Sequence, residues 1–193
     1  MPTKYKKKFL KGFEDVAKLD LSFDAWGYST QLTEITALAA NFPQTRIVVD
    51  HLATPAGLFG SVGKKTGITS AQRTDIFKQW QHDLGLLAQQ KNVYAKISGL
   101  MMPVLGHTFY QQHRTASPTE IVNLLTPMIQ HAINVFGVDR IMYASNFPMD
   151  KPNAALSDLI YAYIQMITPY GDQALYSIFR QNAINFYQLN IES

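Results

Sequence analysis

The chain of 193 residues has no cysteine. That excludes disulfides, zinc–thiolate sites, iron–sulfur clusters and a cysteine nucleophile, and it fits a reducing compartment, so a cytoplasmic location is expected. No apolar run comes near the roughly 18 residues that a membrane span needs. The opening Met1-Pro2-Thr3-Lys4 leads into a basic stretch with no apolar segment, so no secretory signal is expected. Charge is scarce: 16% of residues are Asp, Glu, Lys or Arg against 47% hydrophobic. That balance excludes disorder and supplies one sizeable core, so residues 1–193 read as a single domain. His-x-His, His-Glu-x-x-His and Gly-x-Ser-x-Gly are also missing, and the glycines between 57 and 63 form no phosphate-cradling fingerprint.

The net charge of +3 is unevenly placed. Lys4, Lys6, Lys7, Lys8, Lys11 and Lys18 against Glu14 and Asp15 give the first 18 residues +4, which leaves the remainder at −1. The basicity belongs to one short segment, so no surface that tracks a nucleic acid is expected. That segment reads first as the solvated face of a helix and second as a polybasic contact site.

What is present is an alternation of strand and helix signals. Phe9, Leu10, Phe13, Val16 and Ala17 recur at helical spacing, which predicts a helix over 4–18. Residues 21–26 read as a strand, and 30–41 as a helix with Leu32, Ile35, Leu38 and Ala39 on one face. The β-branched run 46–50 reads as a strand buried on both sides. A helix over 70–90 carries a stripe that includes Trp80, Leu84 and Leu87, and 92–97 is the third strand. Ser117-Pro118-Thr119-Glu120 is a capping box with proline at the first helical position, so a helix starts there, and it runs to Phe136 before Gly137. Residues 140–144 form the fourth strand, and helices over 153–168 and 172–187 close the chain.

Strands alternating with helices predict βαβ units and a parallel sheet. Helix-to-strand connections are short, whereas the strand-to-helix segments 51–69 and 98–116 are long. Parallel α/β folds place function on such loops at the carboxyl ends of their strands. Four strands are too few to close a (β/α)8 barrel, so the chain is either an open α/β sheet or part of a barrel. The opening helix, with no strand before it, favours the second.

Polar residues at the strand ends are the candidates for chemistry. His51 could ligate a metal, polarise a carbonyl or move a proton, or it could satisfy a buried hydrogen bond. Lys96, inside an apolar strand, either lies in the interior, where it needs an anionic partner or ligand, or snorkels outward. Asn146 can only hydrogen-bond and otherwise reads as a turn residue before Phe147-Pro148. Asp150 could be a base or a metal ligand, although the turn into the next helix is the favoured reading. His107, His113 and Arg114, with Phe109 and Tyr110, lie in the long third loop, which is either a lid over an anionic substrate or a surface loop. His82 and His131 sit within helices and read as scaffold.

Taken in order, several strings resemble the amidohydrolase-related proteins. They are Leu21-Ser22-Phe23-Asp24 with Tyr28 and Gln31, Pro43 through Asp50-His51, Asn92 through Leu100, and Phe136 through Pro148. The segment 106–117 and Asn182-Ala183 with Tyr187 continue the likeness. This branch of the amidohydrolase superfamily contains lactonases acting on sugar lactones and on pyrone dicarboxylate. The resemblance implies an α/β fold, a partial (β/α)8 TIM-like barrel comprising roughly strands 4 to 8 with their helices. It implies hydrolysis of a lactone or similar C–O or C–N bond in a small acidic substrate. His51, Asn146 and Asp150 would be the catalytic set, Tyr28 and Lys96 match family positions that could bind substrate, and His113 and Arg114 would contact substrate on the lid reading of the third loop. The family often has aspartate at the position of Asn146. An amide cannot take a proton from water, so that role would pass to Asp150 or be absent. The cofactor expected is one divalent metal, zinc or manganese, with His51 a ligand, or none, because the family's His-x-His pair is missing. About three strands, of order 100 residues, are lacking relative to a full barrel. Such a piece leaves raw sheet edges and an uncovered core, so a second copy or an N-terminal fragment is expected to cover it. The expected partners are a small-molecule substrate and that complement, with no nucleic acid and no membrane. The alternative is a catalytically inactive truncated barrel acting as a dimeric scaffold or small-acid binder.

Overall fold

The computed structural model describes residues 3–191. Helix α1 (Thr3–Lys18) precedes four βα units: β1 (Phe23–Ala25) and α2 (Leu32–Asn41), β2 (Ile47–Val49) and α3 (Ser70–Ala88), β3 (Val93–Ile97) and α4 (Pro118–Phe136), β4 (Ile141–Tyr143) and α5 (Leu156–Ile167). The segment expected as one helix over 172–187 is divided into α6 (Asp172–Tyr176), a π-helical turn (Ser177–Gln181) and α7 (Asn182–Tyr187). The strands are parallel and lie in sequence order β1-β2-β3-β4, with Ile47 opposite both Phe23 and Val93, and Ala95 opposite Ile141. Sequential parallel strands, each followed by a helix, are the construction of a (β/α)8 barrel segment. No helix among the described residues is long and apolar enough to cross a membrane.

Alternation along the strands assigns the two faces. Ile47, Val49, Val93, Ala95, Ile97 and Ile141 point into the main core, where they meet Leu84, Leu87, Leu125 and Ile129 of the helices. Val48, Tyr94 and Met142 point the other way. Burial of Val48 from the opposite side makes β2 apolar throughout, as its run of β-branched residues predicts. Phe13 of α1 packs on Phe23 and Phe42, with ring centroids 5.0 and 4.8 Å apart, while Lys7, Lys8 and Lys11 are exposed. Lys7, Lys8 and Lys11 thus lie on a solvated helix face, and the side chains of Lys4 and Lys6 lie outside the described ones.

The expectation of an uncovered inner face needs one correction. The closing segment lays Phe186 on Val48 and Met142, with Ala183, Tyr187 and Tyr94 around it. Asn182 starts this helix by donating to the carbonyls of Val138 and Ile141, at the amino end of β4. Two other side chains staple the same end of the sheet. Asn92 donates to the carbonyls of Ala39, Phe42 and Thr45, and Arg140 to those of Phe136, Ala88, Gln90 and Val93. Polar side chains at the amino ends are committed to backbone, which leaves the carboxyl ends for chemistry.

Candidate active site

The segment after β2 carries His51 in an unusual backbone. His51, Leu52, Ala53 and Thr54 all have positive φ, between 33° and 56°. Each such non-glycine residue costs about 1–2 kcal/mol, so the run persists only where its surroundings over-determine it. They do. Leu52 and Ala53 are fully buried, Trp80 Nε1 donates to the Leu52 carbonyl at 2.8 Å, and Trp26 Nε1 donates to Thr54 Oγ1 at 3.1 Å. The His51 ring is held from β3, because Nδ1 lies 2.7 Å from Ser98 Oγ and shares a hydrogen bond with it.

Asn146 arrives from β4, also with positive φ. Between it and His51 lies Gly99. A Cβ on Gly99 would stand 2.8 Å from Asn146 Nδ2 and 2.8 Å from His51 Nδ1, so at most twice that distance separates the two polar atoms. Three adjacent strands therefore bring an imidazole, a hydroxyl and an amide to one point. Burial lowers the His51 pKa, Asp50 partly opposes that, and the Lys96 charge adds to the lowering, so the ring is neutral at neutral pH.

Below this point, on the inner face, is a charged cluster. Lys96 Nζ pairs with Asp24 and, at 2.9 Å, with Asp50, and the Tyr187 hydroxyl donates to Asp24 at 2.8 Å. Burial alone would lower the Lys96 pKa. Hydrogen bonds with Asp24, Tyr187 and Asp50, and the Asp50 charge, outweigh it and hold the ammonium above its ordinary range. Burial pushes the Tyr187 phenol up to about 12. Lys96 thus has the anionic partners an interior lysine needs, and both come from the protein. Asp24, Asp50, Ser98 and Tyr187 join the site only through the fold. The parity of the strands could have found the carboxylates, since Asp24 and Asp50 occupy the same face as Lys96.

Asp150 is 1% exposed. Its Oδ1 accepts from the Met101 amide at 2.7 Å, and burial pushes its pKa up to about 6 against the lowering effects of the Met101 donor and of the nearby Asn146 amide. Nearby, Asn153 Nδ2 donates to the Met101 carbonyl at 2.9 Å, and the Asn153 carbonyl accepts from the Ala116 amide. The loop after β4 therefore grips the loop after β3 through both. That second loop is not a free lid. Leu100, Met101 and Leu105 lie in the core, and His107 stacks on Phe59 at 4.4 Å and donates from Nε2 to the Leu100 carbonyl.

The remaining candidates lie apart. His113 is exposed. Arg114 is at the surface, where it forms a two-point pair with Glu120 at 2.9 Å and lies over the Phe109 ring. Tyr28 lines a groove with Ala56, Val62, Ile76 and Val104, a lining that includes none of His51, Lys96 or Asn146. His131 bonds the Gln81 carbonyl and His82 bonds Asp83, as scaffold residues do.

Residues 4–189 match the model of a protein family described as Amidohydrolase. The chain is 30% identical over 179 residues to an uncharacterized protein, y4mH, of Sinorhizobium fredii, covering 93% of this chain and 51% of that one. It is 25% identical over 175 residues to L-fucono-1,5-lactonase of Burkholderia ambifaria, covering 89% and 51%. The chain spans about half the length of the curated relatives it matches. Its fold is shared with the crystal structure of an amidohydrolase from Burkholderia multivorans with bound zinc, at a TM-score of 0.76 and 18% identity over 94% of this chain and 57% of that one.

That relative's zinc raises the question of fit here. Among the described residues no three His, Asp, Glu or Cys side chains converge as a metal group. At the mouth His51 Nδ1 is engaged by Ser98, Asp50 by Lys96, and Asp150 Oδ1 by Met101. The donors among the described residues do not make a metal site by themselves.

Proposed function

The chain belongs to the amidohydrolase family, and from that premise we propose that it supplies one wall of a hydrolase site that opens a lactone or a similar C–O or C–N bond in a small molecule when the barrel is complete. The convergence of His51 and Asn146 over Gly99 carries this reading. A neutral imidazole can accept a proton as water attacks, and the Asn146 amide can donate to the oxygen where negative charge develops. Asn146 cannot be the base, which leaves His51 as the group of this chain suited to move a proton at the mouth.

An acidic substrate would draw its cation from elsewhere than Lys96 and Arg114, whose charges are already met by Asp24, Asp50 and Glu120. Among the described residues, the outer strands β1 and β4 each keep one edge without a strand partner. A second copy of the chain or an N-terminal barrel segment is the complement proposed for those edges.

The test follows ring opening of a panel of neutral and acidic lactones by pH-stat, with zinc or manganese titrated in. The chain is assayed alone and mixed with an N-terminal barrel half. Turnover that falls about a hundredfold or more in both His51→Ala and Asn146→Ala supports the proposal. Turnover indifferent to His51→Ala, or none under any of these conditions, sinks it and leaves the scaffold reading.

A further inference from the structure

Around Asn146 four polar atoms are buried without a hydrogen-bond partner among the described residues: Asp150 Oδ2, Asn146 Nδ2 and the hydroxyls of Tyr143 and Tyr163. They belong to one neighbourhood. The Tyr143 and Tyr163 rings meet edge-on with centroids 5.2 Å apart, and the Asp150 charge is near enough to raise both phenols further after burial has raised them. Asp150 is 1% and Tyr163 2% exposed, so neither reaches bulk solvent. Native interiors pair nearly all their buried polar groups, so four such atoms in one neighbourhood make a cradle lined with donors and an acceptor.

The chemistry of the set identifies that partner. Asp150 Oδ2 accepts, whereas two phenols and an amide N–H donate, yet none bonds another directly. A second anion would be repelled by the carboxylate. A metal cation would meet the Asn146 N–H dipole. A water both accepts and donates, and needs two to four such partners.

We propose that Asp150, Tyr143, Tyr163 and Asn146 form a built site for one buried water, and that this water makes Asp150 a positioning residue for the Asn146 amide at the mouth. Asp150 is suited to that role because its other oxygen is anchored to Met101 in the neighbouring loop. The water then transmits that anchorage to Asn146. The site stands independently of any hydrolysis, so failure of the lactone assay leaves it untouched.

The experiment is a high-resolution crystal structure of the chain, with Tyr163→Phe as the matched variant. The expected wild-type density is a single water at ordinary hydrogen-bond distance, about 2.7–3.0 Å, from Asp150 Oδ2 and at least two of the other three atoms. Tyr163→Phe keeps the ring and removes one tie, so it is expected to melt below wild type and to speed exchange of the Asn146 side-chain amide protons about tenfold. Ile47→Val, at the far end of the sheet, controls for loss of stability alone and is expected to leave that exchange unchanged. Were the hydroxyl a true orphan, its removal would raise the melting temperature. Absence of the water from wild-type density, a Tyr163→Phe protein melting at or above wild type, or exchange moved equally by Ile47→Val overturns the proposal.

Discussion

Replacing Gly99 by alanine is expected to destabilise the chain and pull apart the two groups that carry the candidate site. The backbone at Gly99 has φ +63°, where an L residue costs about 1–2 kcal/mol. The added methyl would stand 2.8 Å from both Asn146 Nδ2 and the His51 ring. Neither neighbour retreats easily, because His51 is tied to Ser98 and rooted in a left-handed run with a buried continuation. Overpacking of this kind costs about 1–3 kcal/mol. The sum, about 2–5 kcal/mol, is a large share of a typical stability of about 5–15 kcal/mol. It corresponds to a fall in melting temperature of roughly 5–15 °C for a chain of this length. Gly63→Ala isolates the backbone part: it has φ +61°, close to that of Gly99, and nothing within 4 Å of an added Cβ. Urea unfolding of both variants measures the difference, and the imidazole resonances of His51 report its displacement. A Gly99→Ala protein that is as stable as Gly63→Ala, with an unmoved His51 ring, would refute the geometry from which the site is built.

Lys96→Met leaves Asp24 and Asp50 facing each other without their cation. A fully buried pair broken this way loses about 3–5 kcal/mol, and because Asp24 is 39% exposed the expected loss is reduced to about 1–3 kcal/mol. Adding Asp24→Asn and Asp50→Asn should recover part of it, and Lys96→Met as stable as wild type at low salt would contradict the cluster. Two buried groups set opposing pH effects. Asp150 is raised from 3.8 to about 6, so it contributes stability that is fully present below about pH 4 and lost as pH rises through 6, about 3 kcal/mol in all. Burial lowers His107 from 6.5 to about 4, so its contribution, also about 3 kcal/mol, is present above about pH 6.5 and lost as pH falls through 4. Asp150→Asn should therefore make stability fall more steeply between pH 6.5 and 4, and His107→Asn should make it rise. Denaturation midpoints across that range test both, and parallel pH profiles in all three proteins would refute the assignment.

The strands and helices were legible because their signals are local. Alternation over 92–97, the β-branched run at 47–49 and the capping box at Ser117 each depend on neighbours within a few residues. The division of the last helix at Ser177–Gln181 has no such signal, and the local pattern there predicts one continuous helix. Among the candidate residues, strand ends pointed to His51, Lys96 and Asn146, because a parallel sheet places its carboxyl ends together whatever the details. Loop residues fared differently. Arg114 carries a charge that could face a ligand, but the helix-capping Glu120 captures it at the surface.

By itself the sequence determined the order of elements, the parallel sheet, the apolar parity of its strands and the face on which chemistry could gather. Only the tertiary structure decided the left-handed path through His51, Leu52, Ala53 and Thr54, the approach of His51 and Asn146 across Gly99, and the sharing of Lys96 between two carboxylates. The reason is physical. Hydrophobic periodicity and caps act through the backbone's own few neighbours. A strained turn, a close contact or a shared charge instead draws its stability from partners dozens of residues away, such as Trp80 for the turn and Asp24 for the lysine. No local pattern encodes those partners.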